Sequence, residues 1–251
     1  MRVLVTRPAG QALEWVNGLR AAGLDATALP LIGIEPPEDP APVRAAWDGL
    51  HAYAMVMFVS PNAAAHFFGL RPAGLAWPDG VLAASPGPGT SAALQRLGVP
   101  ASAIVQPAPD APQFDSEALW QAIAHRPWAG ARVLIVRGTS GRDWFAARLG
   151  EHGASVHWVA AYRRSAPRLD AASSAVLAAA LADPGRHLWF FSSSEAIDHL
   201  AALSPETCWA EAGALATHPR IAERARRMGF GRVTEARPSL AAVAACIQSL
   251  A

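Results

Sequence analysis

The sequence predicts an α/β fold of two similar five-stranded parallel-sheet units, and three observations carry that expectation. Short β-rich apolar runs alternate with amphipathic stretches along all 251 residues, the pattern of parallel strands joined by crossover helices. Ten such runs can be placed, at 2–6, 26–32, 54–59, 80–84, 101–106, 132–136, 155–161, 187–192, 213–217 and 231–235. The chain also repeats itself. Arg2-Val3-Leu4-Val5-Thr6-Arg7 returns as Arg132-Val133-Leu134-Ile135-Val136-Arg137, and the same offset relates Leu19 to Leu149 and Gly23 to Gly153. Met57-Phe58-Val59-Ser60-Pro61-Asn62 is echoed by Trp189-Phe190-Phe191-Ser192-Ser193-Ser194, and Gly98 by Gly229, each glycine ending a helix before a further strand.

Taken in order, each copy opens strand-helix-strand and then reaches a proline-bearing stretch, Gly33 to Pro42 in the first and Arg163 to Leu169 in the second. Such segments suit stiff connections between domains. Either the chain crosses between domains twice, once at each stretch, or a single boundary lies near Arg126 to Gly130, between the copies. The last helix shows the clearest periodicity: Pro238 and Ser239 start it, and Leu240, Val243, Ala244, Ile247 and Ala251 are spaced for one buried face.

The composition excludes several chemistries. With 21 basic residues against 20 acidic ones the net charge is +1, so no global field favours nucleic acid or an anionic membrane surface. Every basic residue is arginine, which removes Schiff-base lysines, pyridoxal phosphate attachment and a Walker-type lysine. Two cysteines, Cys208 and Cys246, form no CxxC motif and fit a reducing compartment. The opening apolar run is too short for a signal peptide and no segment reaches membrane-spanning length free of charge, so a cytoplasmic protein is expected. Eight histidines show no HxxxH, HxH or HExxH spacing, and no metal is expected.

Candidate binding positions gather where strands end. Ser60-Pro61-Asn62-Ala63 and Ser192-Ser193-Ser194-Glu195 each follow an apolar strand and open a helix, whose free N–H groups and positive dipole end favour a carboxylate or phosphate. The same residues also serve as helix caps. Their equivalence in the two copies would set both turns facing one cleft at the carboxyl ends of the strands. Gly87-Pro88-Gly89-Thr90-Ser91-Ala92 contains a GxGxxA string, yet Pro88 deletes a backbone donor and no acidic residue ends the next strand, so a tight loop lining the cleft is read in preference to a nucleotide site. Thr217-His218-Pro219-Arg220 occupies the equivalent turn of the second copy, and Tyr162 ends a strand at the second proline-bearing stretch, where a phenol can donate a proton or simply cover a hinge. Arg220, Arg224, Arg226, Arg227 and Arg232 are scattered by helical spacing and read as a solvated face. No GxSxG elbow exists, so the serines read as ligands.

Together these segments resemble the uroporphyrinogen-III synthase family. The carrying residues are Val3-Leu4-Val5-Thr6-Arg7-Pro8 with Gln11, Pro30-Leu31-Ile32, Phe58-Val59-Ser60-Pro61-Asn62-Ala63, Gly87-Pro88-Gly89-Thr90, Phe114-Asp115-Ser116-Glu117-Ala118-Leu119, Val133-Leu134-Ile135-Val136-Arg137-Gly138, Tyr162-Arg163-Arg164 and Phe190-Phe191-Ser192-Ser193. The resemblance implies two α/β domains, 1–34 with 168–251 and 40–162, joined by linker strands at 35–39 and 163–167 with a cleft between the domains. It implies a monomer that closes hydroxymethylbilane to uroporphyrinogen III with loss of water and without a cofactor, the substrate being handed over by the preceding pathway enzyme. Tyr162 and then His218 are the implied proton donors. The substrate's carboxylates would meet Arg7, Arg137, Arg220 and the turns at Ser60–Ala63, Gly87, Gly89, Thr90, Gly138, Ser192–Ser194 and Thr217. The chain departs from the family where a glycine-proline-threonine turn is usual and Thr217-His218-Pro219-Arg220 stands, so Thr217 takes over that hydroxyl's role only in part.

Overall fold

A strand covered on both faces must be apolar throughout, and Val3, Leu4, Val5 and the run Met55 to Phe58 are sealed from solvent in the computed structural model, which describes residues 1–139 and 141–250. The chain runs β1 (Arg2–Val5), α1 (Ala9–Ala21), β2 (Ala26–Ala28) and β3 (Gly33–Glu35). It continues through α2 (Ala41–Asp48), β4 (Met55–Phe58), α3 (Pro61–Gly69), β5 (Leu82–Ala84), α4 (Pro88–Arg96), β6 (Ile104–Val105) and α5 (Ser116–Ile123). Next come β7 (Arg132–Gly138), α6 (Trp144–Glu151), β8 (Ser155–Ser165), α7 (Ala171–Ala182), β9 (His187–Phe191) and α8 (Ser194–Leu203). The last elements are β10 (Gly213–Ala216), α9 (Pro219–Met228), β11 (Arg232–Glu235) and α10 (Leu240–Ser249).

These elements form two units, Met1–Gly33 with Ser165–Ala251, and Ile34–Arg164. The first holds a five-stranded sheet ordered β11-β10-β9-β1-β2, and the second a six-stranded one ordered β3-β8-β7-β4-β5-β6. Where five strands each were expected, the run at 26–32 is strand only over Ala26–Ala28, and the sixth strand arises beyond it, where β3 pairs with β8 instead of extending β2. The Arg163–Glu35 ion pair joins β3 and β8. The run at 101–106 likewise shortens, its first turn coiling into a 3-10 helix at Ala101–Ala103.

The repeat seen in sequence explains the two sheets. At its offset β1 corresponds to β7, β2 to β8, and β9, β10 and β11 to β4, β5 and β6, so both sheets follow the parallel order 2-1-3-4-5. Each unit therefore joins the opening of one copy to the close of the other. The register across the first unit's centre sets Val3 against both Ala26 and Leu188, residues far apart in the chain.

The repeated glycines are needed for one backbone reason. Gly23, Gly98, Gly153 and Gly229 all have left-handed φ, from 80° to 102°. After each, the next N–H bonds the carbonyl five residues back: Leu24 to Leu19, Val99 to Leu94, Ala154 to Leu149 and Phe230 to Ala225. This closes the helix ends at a conformation that a Cβ disfavours. In α10, Ser239 caps the helix and Val243, Ala244 and Ile247 face the core. Leu240 is 38% exposed, since it spreads over the space left by Gly18 of α1, and Ala251 lies outside the described residues.

Gly229→Ala should lower stability by about 1 kcal/mol, the cost of left-handed backbone alone, because nothing lies within 4 Å of the added carbon. Gly153→Ala should cost more, since its Cβ would also stand 3.1 Å from Ala129 Cα. Urea unfolding of both variants checks this, and equal losses would refute the steric part.

Candidate functional site

In a parallel sheet of order 2-1-3-4-5 the crossovers leave β1 in opposite directions, so a ligand site opens at the carboxyl ends of the first and third strands. In the first unit those strands are β1 and β9. Thr6 is buried there and its hydroxyl donates to the Phe190 carbonyl at 2.8 Å, tying the two strand ends together. Arg7 follows. Its guanidinium lies 4.5 Å over the Trp15 ring, Nη1 donates to Gln11 Oε1 at 3.0 Å, and Nε is sealed from water with no partner. Gln11 and Trp15 fall on one side of α1 by their spacing of four, and Arg7, just before the cap Pro8, lies against both. Burial lowers the Arg7 pKa to about 10.

Beside it, Ser193 caps α8 by accepting from the Glu195 N–H at 3.3 Å, with Ser192 and Ser194 half-buried on either side. Glu195 brings a carboxylate into this first turn, which offsets part of the helix's pull on an external anion. One strand further, Thr217 is buried and its N–H bonds the Phe191 carbonyl at 3.2 Å. His218 caps α9: its Nδ1 accepts from the Arg220 N–H at 3.1 Å, so a neutral ring carries its hydrogen on Nε2. Arg220 is exposed in the first turn of α9, where the helix dipole opposes a cation. The remaining arginines of α9 are engaged, Arg224 with Asp198, Arg226 with Glu235 and Arg227 with Glu223.

In the second unit the corresponding strands are β7 and β4. Ser60 caps α3 by accepting from the Ala63 N–H at 3.2 Å, Pro61 opens the helix, and Asn62 is half-buried in its first turn. Unlike α8, this turn holds no acidic residue. The Ser60 hydroxyl also lies 3.3 Å from the Tyr162 hydroxyl.

A β-bulge brings Tyr162 to that point. Arg137 pairs with Ala160 but Gly138 pairs with Tyr162, so β8 carries Ala161 as an extra residue. Tyr162 is 1% exposed, and a Cβ at Gly138 would stand 3.1 Å from its Cζ, so Gly138 makes room for the ring. Arg137 stacks over Trp158 at 4.6 Å as Arg7 stacks over Trp15, but it is neutralised by Asp143 at 2.7 Å.

The glycine loop is held from within. The Ser85 hydroxyl donates to the Gly87 carbonyl and accepts from the Gly87 N–H and the Ser91 hydroxyl, which uses its full bonding capacity. Gly87 is needed because Phe114 approaches its missing Cβ to 3.0 Å. Gly89 is exposed with open space around it, and Thr90 is buried.

The structure thus groups Ser60–Ala63, Arg137, Gly138 and Tyr162 at one switch point and Arg7 with Ser192–Ser194 at the other. Gly87, Gly89, Thr90, Thr217, His218 and Arg220 lie one strand along. Sequence reasoning missed His66, whose ring stacks on Tyr162 with centroids 5.9 Å apart, and whose pKa is lowered by burial. Its spacing of four from Asn62 was the available signal. Among the described residues, no three His, Cys, Asp or Glu side chains gather to hold a metal ion, and no helix is long and apolar enough to cross a membrane.

Two substitutions test these roles. The depressed Arg7 pKa means that its charge costs folding energy at every pH below about 10. Arg7→Met should therefore raise the free protein's stability at neutral pH, by roughly 1–2 kcal/mol, and a fall in the urea midpoint would refute this. His218→Ala should cost about 1 kcal/mol through loss of the cap, whereas His218→Asn should retain most of it. Equal losses would mean that the imidazole does not act as the cap.

The sequence profile of the family described as uroporphyrinogen-III synthase HemD matches residues 14–245. The fold is similar to that of a mutant uroporphyrinogen III synthase from the extremely thermophilic bacterium Thermus thermophilus, which is 16% identical, with a TM-score of 0.60 over 100% of this chain and 97% of that one. It is also similar to uroporphyrinogen-III synthetase from Helicobacter pylori, 17% identical, with a TM-score of 0.58 over 100% of this chain and 99% of that one. At these identities the likeness speaks for the fold, and the profile, whose span runs through both units, speaks for descent. The chain belongs to the uroporphyrinogen-III synthase family.

Proposed function

We propose that the protein is a uroporphyrinogen-III synthase, a lyase that closes hydroxymethylbilane to uroporphyrinogen III with loss of water and inversion of ring D. The observation that carries this reading, beside the family, is the bulged placement of Tyr162 against Ser60 at a strand-end switch point. The Ser60 oxygen spends one lone pair on the Ala63 N–H and keeps its own hydrogen, which can be given to the Tyr162 oxygen. Tyr162 can then pass its proton outward while Ser60 stabilises the phenolate left behind.

In the reaction, Tyr162 protonates the departing hydroxyl, which leaves as water and yields an azafulvene cation. Attack by the substituted carbon of ring D gives a spiro intermediate, which reopens and recloses with that ring inverted. The proton lost as the final pyrrole regains aromaticity restores the phenol. Atoms and electrons balance as a redox-neutral dehydration with no group to carry, so the scheme calls on no cofactor. The main contribution of the protein is orientation, which is worth several kcal/mol without a strong acid.

The arginines and strand-end turns serve the substrate's carboxylates in this reading. Arg7 and Arg220 are supported by having no ion pair among the described residues, and Arg137 would have to exchange Asp143 for a substrate group. His218 is the weaker proton donor, because its Nδ1 is spent on the α9 cap. We place the enzyme in the cytoplasm as a monomer that receives its substrate from the preceding pathway enzyme.

A coupled assay that generates hydroxymethylbilane in situ, followed by oxidation and separation of the isomers, should give predominantly type III uroporphyrin. Type I alone, the product of unassisted closure, would refute the activity and leave a ligand-binding module. Tyr162→Phe should slow turnover on the order of tenfold to a hundredfold while keeping the type III product, and unchanged kinetics would remove Tyr162 from the scheme.

A further inference from the structure

Tyr162 stands at a bulge, where the ladder is interrupted and the backbone alone does not define the ring's direction. Among the described residues its hydroxyl has one hydrogen-bond partner, Ser60, at a long 3.3 Å. A phenol that must release and recover a proton at one point needs its ring held by packing. The missing Cβ of Gly138 admits the ring but does not grip it. The ring belongs to the buried core of the second unit, and the Arg164 guanidinium carbon lies 6.0 Å from its centroid. The ring that α3 stacks on it is His66, at 29° to that of Tyr162 in an offset stack.

We propose that His66 is a positioning residue for Tyr162, holding the phenol ring so that its hydroxyl stays at Ser60. The inference rests on the reading of Tyr162 as proton donor. The elements fit the role. Ser60 caps α3 and His66 lies in the same nine-residue helix, so cap and stack move as one body against β8. The next two residues, Phe67 and Phe68, are buried in the core around Trp47, Phe58 and Trp77 and anchor that helix. His66 itself is half-buried, and burial disfavours its charged form. A neutral ring stacks on the phenol without adding a second charge to that of Arg164, which already lies near the ring. What the site requires of position 66 is therefore a flat ring, which phenylalanine also supplies.

The test uses the presence of only two tyrosines in the chain. In a Tyr53→Phe background, which keeps the ring that packs on His157 and Arg132, Tyr162 is the sole site of nitration by tetranitromethane. Relative to that background, His66→Ala should lower kcat about tenfold with KM nearly unchanged and speed nitration of Tyr162 severalfold, and His66→Phe should restore both. A kcat and nitration rate unmoved by His66→Ala, or a failure of His66→Phe to restore them, would overturn the proposal. If His66→Ala does not fold, His66→Leu, which fills the space without a flat ring, takes its place and must show the same losses. The two readings fail separately. Absence of type III product from the unmodified protein sinks the activity, whereas type III product with unchanged nitration in the alanine variant sinks the role of His66 alone.

Discussion

The parallel pairing of β1 with β9 and of β7 with β4 is the constraint on which the rest of the molecule depends. Each sheet's central strand finds its neighbour in the other sequence copy, so neither sheet closes from one copy alone. Val3 must lie against Leu188 before Leu4, Val5 and Phe190 are covered on both faces. The runs Val3 to Val5 and Met55 to Phe58 hold no polar side chain that could reward a shifted register, and a slip would misplace every side chain on both faces. The apolar centre thus fixes where the strands end, and with that the positions of the candidate site residues.

Because both units obey the same strand order, they present equivalent edges, yet the edges are chemically unequal. Arg7 and Arg137 each follow the first strand's apolar run and each stack on a tryptophan, but among the described residues only Arg137 meets a carboxylate. A half-buried charge met, among the described residues, by an amide and the faces of Trp15 and Phe190 but by no carboxylate is poorly compensated in the free protein, the kind of cost that stability alone would not retain. At the repeat offset, Tyr162 corresponds to Ile32, so the phenol belongs to one edge only. The edge of the second unit holds the Ser60–Tyr162 hydroxyl pair, and that of the first holds the less compensated positive charge.

Burial has a different meaning at each site residue. At Thr6 and Ser85 it accompanies complete hydrogen bonding, and these groups shape loops. At Tyr162 it leaves one long hydrogen bond and a set of ring contacts, which suits the proton donor that we propose it to be. At His218 the imidazole is spent on a backbone N–H, so a residue that looks reactive among the eight histidines is engaged in starting a helix.

What the sequence by itself determined is whatever depends on neighbours a few residues away. The apolar runs, the four helix-ending glycines, the caps at Ser60, Ser193 and Ser239, and the repeat that pairs the two copies were all legible, because a helix cap or a left-handed turn is decided within about six residues. The strand-end turns were legible, since they are marked by local polarity, but His66, inside a helix, was not. Nor were the partners of the site residues. That β3 leaves β2 to pair with β8, that Ala161 bulges so that Tyr162 meets Gly138, that its hydroxyl reaches Ser60 and its ring His66, and that Arg137 is matched by Asp143 while Arg7 is not were decided only by the tertiary structure. The physical reason is that strand pairing and side-chain packing join residues as distant in the chain as Val3 and Leu188 through register and shape, and neither leaves a periodic trace in the chain.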